Sequence, residues 1–296
     1  MYLLINFLIL ILTLFFYIHI NNFIRTSDYL EIYEIENPSK DELNDFCKMK
    51  QPLLIKNLDI DNLMNINTEF ITNNYNSFEI FLYNNYTKKN TFLSFDKCTE
   101  LFKKDLSGQY ISFGNNLFLN ETTLYKHLKN YDNIFRPMNT FESCYDIISG
   151  SIDSNTPLKC EYNIRNLFIV TEGNVEIMMC PPINNKFLYT YNDYEKMEQI
   201  SNINIKNIEK KYESNYRKIK FLKLNLSKGD IVNIPPYWYY TIIIKEDKTI
   251  LLNYKYKTFI NIITLIPNYL LCFIQKNNTK EILSNILDSK LINKTN

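Results

Sequence analysis

The longest apolar run of the chain opens almost at its start. From Tyr2 to Ile20 only Asn6, Thr13 and His19 interrupt it. That length falls at the short end of the roughly 17–25 residues that cross a bilayer core. A helix packed in a soluble core shows a polar face, and this run shows almost none. A cleaved signal peptide carries a basic leading stretch, a shorter apolar core and a small-residue cleavage site. Here the first basic residue is Arg25 and no such site follows. The pattern favours an uncleaved signal anchor over residues 1–25, with a signal peptide as its rival. Arg25 would hold its flank on the cytoplasmic side, although one charge leaves the side of the membrane open.

After the anchor the period changes. Ser39 followed by Glu42 forms a capping box ahead of Leu43, Phe46 and Cys47 at helical spacing. Gln51 to Asn57 (QPLLIKN) reads as a short buried strand. Asn120 to Tyr131 reads as one helix with Leu124, Leu128 and Tyr131 on a face. His127 sits beside that face, where a lone histidine is a packed or surface residue far more often than a ligand. From Asn166 the pattern turns β. Asn166 to Thr171 and Val175 to Cys180 flank Glu172-Gly173-Asn174 and predict a hairpin. Residues 184–220 are a polar excursion with a charged helix around Ile208 to Arg217. Leu222, Leu224 and Leu226 alternate on one strand, and Ile231 to Ile234 is the next. Tyr239 to Ile244 and Thr249 to Tyr254 predict a second hairpin. Phe259 to Gln275 is again apolar but holds Asn261 and Pro267, so it reads as a packed or membrane-apposed helix pair, with a second span as the alternative. Ile282, Leu283, Ile286 and Leu287 mark an amphipathic terminal helix. Short strands punctuated by Gly and Pro point to a sandwich or barrel.

Composition changes this picture little. The 296 residues suit one sizeable domain after the anchor, and 46% hydrophobic residues suffice for a core. A formal net charge of +1 and the lack of a basic stripe give no footprint for nucleic acid. Alanine is absent while Tyr reaches 23 and Phe 20, the mark of A/T-rich coding. Single Asn, Lys or Tyr residues therefore carry little weight, and neither do the sequons at Asn85 and Asn120. The cysteines Cys47, Cys98, Cys144, Cys160, Cys180 and Cys272 form no C-x-x-C pair and read as buried free thiols.

Two stretches carry more. Thr156 to Pro182 reads TPLKCEYNIRNLFIVTEGNVEIMMCPP, and Gly229 to Thr241 reads GDIVNIPPYWYYT. In that order they resemble the cupin-like JmjC-type domains of the 2-oxoglutarate oxygenase superfamily. That family reads TPLHxD, an apolar strand, G-x-K, a second strand, Pro-Pro, and later GD and IPPxWWH. QPLLIKNL also fits a strand near the family's start, and the resemblance covers residues 45–258. It implies a mainly β fold, a double-stranded β-helix or jelly roll, with flanking helices and here an N-terminal transmembrane helix. The implied division is an anchor at 1–25, a helical and mixed part at 26–150, a jelly-roll core at 151–258 and C-terminal helices at 259–296.

The resemblance also implies a site. In the family an H-x-D and a later His hold Fe(II) at the barrel mouth, and a lysine holds the distal carboxylate of 2-oxoglutarate. Here the first His position is Lys159, the Asp position is Glu161, the second His position is Tyr240 and the lysine position is Val175. The family's Asn in the last strand survives as Asn253. A protonated lysine repels a cation and has no lone pair to donate. The chain has two histidines, His19 and His127, and one lies in the anchor. No catalytic residue, metal or cofactor is therefore expected. The leading expectation is a membrane-tethered pseudoenzyme that binds or scaffolds a protein partner. The alternative is an oxygenase-like hydroxylase or another enzyme of non-standard chemistry, with Lys159 as an acid/base or carbonyl-binding group beside Glu161, Tyr240 and Cys160. A buried Lys159 within reach of Glu161 and Tyr240 would favour the alternative. A third reading is a glycosylated secretory or envelope protein with an aromatic binding surface.

Overall fold

The computed structural model describes residues 2–21 and 25–278. The short apolar runs pair into two sheets. The larger has nine strands, in the order Tyr33–Glu36, Leu53–Lys56, Ile231–Ile234, Arg165–Glu172, Ile250–Thr258, Thr140–Gly150, Tyr110–Ser112, Glu79–Asn84 and Asn90–Ser94. The smaller has six, in the order Thr190–Asp193, Glu198–Ser201, Lys159–Glu161, Tyr239–Ile244, Val175–Cys180 and Leu222–Leu226. Tyr33–Glu36 and Leu53–Lys56 run parallel, and the other strand pairs are antiparallel. The result is a mainly β protein with flanking helices. Strands upstream of residue 151, above all Thr140–Gly150, are integral to the larger sheet.

Neither predicted hairpin forms. Arg165–Glu172 pairs with strands of the larger sheet, while Val175–Cys180 pairs with strands of the smaller. Glu172-Gly173-Asn174 therefore carries the chain from one sheet to the other. Tyr239–Ile244 and Ile250–Thr258 are likewise split between sheets. The two crossings lie side by side. Gly173 has φ +76, and a Cβ there would come within 2.3 Å of Thr249 Oγ1, so the close approach requires glycine. Asn174 Nδ2 donates to Glu246 Oε1 at 2.8 Å, and Lys245 N donates to Asn174 O at 2.9 Å. These strands are buried on both faces, so their sequences do not show which sheet they join.

The period-2 alternation sorts side chains into layers. From the larger sheet Phe168, Val170, Leu251 and Ile148 turn inward, and from the smaller Val175, Ile177, Met179, Ile242 and Ile244 meet them in one inter-sheet core. Burying each such side chain contributes about 1.5–3 kcal/mol. The opposite face of the larger sheet, with Leu167, Ile169, Leu252 and Tyr254, packs on the helices. The opposite face of the smaller sheet, with Cys160, Cys180 and Tyr239, packs on the excursion and the C-terminal segment.

The helix Lys40–Lys48 has the predicted capping box: Ser39 Oγ accepts from Glu42 N at 3.3 Å, and Ser39 N donates to Glu42 Oε2 at 2.8 Å. The single helix expected over 120–131 is instead two, Asn116–Glu121 and Leu124–Lys129. Thr122 Oγ1 bonds back to Phe118 O at 2.6 Å, and Thr123 takes φ 59, which breaks the helical run. The excursion carries the expected helix, Lys210–Tyr216, but also two strands that its polar sequence did not predict. Phe259–Thr264 and a helix over 266–278 form the C-terminal pair. The terminal helix read at Ile282 to Leu287 lies outside the described residues. Tyr2–His19 is an 18-residue helix, long and apolar enough to cross a membrane, with no buried residue. It touches Phe259–Thr264.

Candidate functional site

One end of the inter-sheet space is polar. The inward positions there are Lys159, Glu161 and Tyr240 on the smaller sheet and Asp146, Asn166, Asn253 and Lys255 on the larger, all buried or nearly so. Lys159 and Tyr240 are direct partners across the strands. Lys159 and Glu161, two apart on one strand, point the same way. Lys159 Nζ lies 2.7 Å from Glu161 Oε1 and 2.7 Å from Glu198 Oε2. Glu161 Oε1 also meets Lys255 Nζ at 2.9 Å, and its Oε2 accepts from Asn163 Nδ2 at 2.9 Å. Two ammonium groups and two carboxylates thus close on one another.

Burial works against the charge of Lys159, but Glu161 and Glu198 outweigh it and hold the ammonium well above the ordinary lysine range. Burial likewise opposes the charge of Glu161, and Lys159 and Lys255 overcome it, so the carboxyl sits well below the usual range. Lys255 is raised by Glu161 against the cost of burial. Tyr240 is pushed well above its ordinary value by burial and by Glu161, which Lys159 offsets in part. Its phenol stays neutral and accepts from Asn166 Nδ2 at 3.3 Å, while Asn253 Nδ2 donates to Asn166 Oδ1 at 2.6 Å.

The walls are aromatic. Lys159 Nζ stands 5.6 Å from the Phe113 ring centroid, a cation–π contact. Phe113 is fixed by the next turn: Gly114 N and Asn115 N donate to the two carboxylate oxygens of Asp146 at 2.7 and 2.6 Å. Phe81 packs edge-on against Phe113. Two openings flank this wall. One, of about 600 Å³, has Lys159, Glu161 and Lys255 on its floor and Tyr269, Cys272 and Lys276 on one side. The other, of about 260 Å³, lies between Tyr83, Phe113 and Tyr191 and also reaches Lys159 and Glu198.

Of the positions singled out in the sequence, Lys159, Glu161 and Tyr240 come together, with Asn253 joined through Asn166. Val175 does not. Its partner across the smaller sheet is Ile244, four residues beyond Tyr240, so it lies roughly 13 Å along the strand in the apolar half of the core. Cys160 faces away, among Tyr162, Tyr237 and Tyr239, and burial pushes its thiol well above its ordinary range. His127 is exposed and meets the edge of Phe70. Among the described residues no group of three His, Cys, Asp or Glu side chains converges as a metal cage. Glu198 and Lys255 are the ion-paired members of the cluster that sequence reading missed, as it missed Asp146 and Asn166 beside them. Lys255 had a signal, being two residues from Asn253 on one strand. Glu198 had none.

Residues 84–262, more than half of the chain, match the cupin-like domain family, and the chain belongs to that family, of JmjC type. It is 29% identical over 138 residues to human HSPB1-associated protein 1; the match takes in 46% of this chain and 28% of that protein. The chain therefore spans little more than a quarter of that relative's length.

Proposed function

We propose that this is a membrane-anchored, jelly-roll protein of the cupin/JmjC type that has lost oxygenase chemistry and acts as a binding or scaffolding module. One observation carries the reading: a buried ammonium, Lys159, held by Glu161 and Glu198, occupies the position where the family has its first metal-binding His. The cluster does not fit Fe(II). A charged lysine offers no lone pair, the Glu161 oxygens are already engaged, and Tyr240 is a neutral phenol. Nor does it fit 2-oxoglutarate, because the anchoring lysine is replaced by Val175 in apolar surroundings. The two sheet-to-sheet crossings support a double-stranded β-helix centred on residues 151–258. The exposed apolar helix Tyr2–His19 supports the anchor, and the C-terminal helices complete the division. The name of the human relative supports a protein partner. The test is calorimetric titration of the full chain, in detergent, with Co(II) as an iron surrogate and with 2-oxoglutarate. No stoichiometric binding is expected; tight uptake of both overturns the reading.

A second reading has one observation in its favour. Lys159 is buried within reach of Glu161 and Tyr240, as an acid/base or carbonyl-binding lysine would be. The electrostatics oppose it, because catalysis by lysine needs a lowered pKa near working pH and this ammonium is raised. Borohydride trapping with small keto acids distinguishes the two: a stable adduct on Lys159 would favour the enzyme.

A further inference from the structure

We infer that the C-terminal helix over 266–278 lies on the bilayer surface and forms the common wall between the membrane and the charged cleft. The inference rests on the membrane-anchored reading above and extends it to a second lipid-contacting element.

This helix has two faces. Leu265, just before it, and then Tyr269 and Cys272 recur at helical spacing and pack against the smaller sheet. Tyr269, Cys272 and Lys276 also line the larger opening of the cleft. On the other side Ile266, Leu270, Phe273 and Ile274 recur at the same spacing and face outward, with Leu270 58% and Phe273 65% exposed. An amphipathic helix on a soluble protein puts charge on that outer face. Here no charged residue occurs from Phe259 to Gln275. Phe259 and Phe141 extend the apolar surface, both exposed and 6.2 Å apart between ring centroids.

Continuity with the N-terminal helix identifies lipid as the occupant. Tyr2–His19 is almost entirely apolar, has no buried residue, and touches Phe259–Thr264, the first member of the C-terminal pair. A helix of bilayer-spanning length thus meets the exposed apolar flank of the domain at Phe259–Thr264. A bilayer covers both; a protein partner on the outer face would have to sit in the lipid beside the anchor. A helix lying in the interface buries its apolar face about 5–10 Å into the headgroup and acyl boundary. Its inner face would then place Tyr269, Cys272 and Lys276, and the cleft they wall, at headgroup level.

The experiment reconstitutes full-length variants in phosphatidylcholine vesicles with brominated acyl chains. The native Trp238 is buried and sets the background. Phe273→Trp is compared with Phe16→Trp in the N-terminal helix and with Leu106→Trp, an exposed site on the domain. Quenching of the Phe273→Trp signal at least about twofold beyond that of Leu106→Trp is expected for an interfacial depth. Quenching of Phe16→Trp without quenching of Phe273→Trp overturns the inference and leaves the anchor standing. Protein that does not float with the vesicles overturns both.

Discussion

Lys159 Nζ lies 2.7 Å from Glu161 Oε1, two residues along the same strand, so one short β segment carries both halves of a buried ion pair. Glu198, from a neighbouring strand, approaches the same ammonium as closely. Lys255 reaches Glu161 from the opposite sheet. The four charges cancel, and that cancellation lets the cluster exist away from water. A buried pair adds little net stability over an apolar replacement, because desolvation offsets attraction, but an unmatched partner is costly.

Lys159→Met therefore destabilises the fold by roughly 3–5 kcal/mol, because Glu161 and Glu198 are left with one cation between them. Lys159→Met with Glu198→Gln restores charge balance around the Lys255–Glu161 pair and recovers most of the loss. Urea unfolding of the full chain in detergent measures both. Additive losses in the double variant would mean that the two side chains do not interact.

Acid acts on the same cluster. The folded-state pKa of Glu161 is depressed, so its ionised form contributes stability above the unfolded value of about 4.3. That contribution is lost as pH falls from there toward the folded value. Glu161→Gln removes the contribution at every pH. The gap in melting temperature between wild type and variant is expected to be widest near pH 7 and to narrow steadily below about pH 4.3. A constant gap down to pH 3 would contradict an ionised, paired Glu161.

The sequence shows much of this site and less of the topology. Lys159, Glu161 and Tyr240 were legible through the family resemblance, which puts them at the metal positions, and strand alternation sets the first two on one face. Alternation then keeps Asn253 and Lys255 on one face, so Lys255 was within reach of the same reasoning. Glu198 was not, since it sits in a polar run (YNDYEKMEQIS) with no alternation to mark a strand. The hairpins failed for a related reason. Gly173 correctly signalled a tight turn, but strands buried on both faces carry no mark of their partner. The helix break at Thr123 was hidden because Leu124 and Leu128, both on the second helix, keep helical spacing between themselves and carry no mark of where that helix starts.

The junction between the N-terminal helix and the domain has its own titratable clasp. Lys50 Nζ donates to Asn21 O at 2.8 Å and to Arg25 O at 2.6 Å. Burial, aided by the nearby Arg25, lowers its pKa to about 8. Lys50→Met removes hydrogen bonds from a charged donor worth about 1.5 kcal/mol or more, so trypsin cleavage after Arg25 should accelerate roughly tenfold. The wild type also gains stability between about pH 8 and about pH 10.4, where the unfolded chain holds a proton the folded chain has released. The variant loses that rise. An unchanged cleavage rate would mean that Lys50 does not hold the junction.

The family's metal geometry provides the sharpest test of the site. Lys159 and Tyr240 are cross-strand partners, and Glu161 is two residues from Lys159 on the same side of the strand. Lys159→His with Tyr240→His would set two imidazoles and one carboxylate around a common point, the donor set that holds first-row metals with open positions. The substitutions also remove the ammonium that now neutralises Glu161 and Glu198, leaving excess negative charge to attract a divalent cation. The double variant is expected to take up one Co(II), seen as visible absorption bands and a rise in melting temperature, while the single variants and the wild type do not. Lys255 still competes for Glu161, so Lys255→Met added to the pair should tighten the binding further. A double variant that folds, as judged by circular dichroism, but takes up no Co(II) would show that the three positions do not converge as a metal site requires.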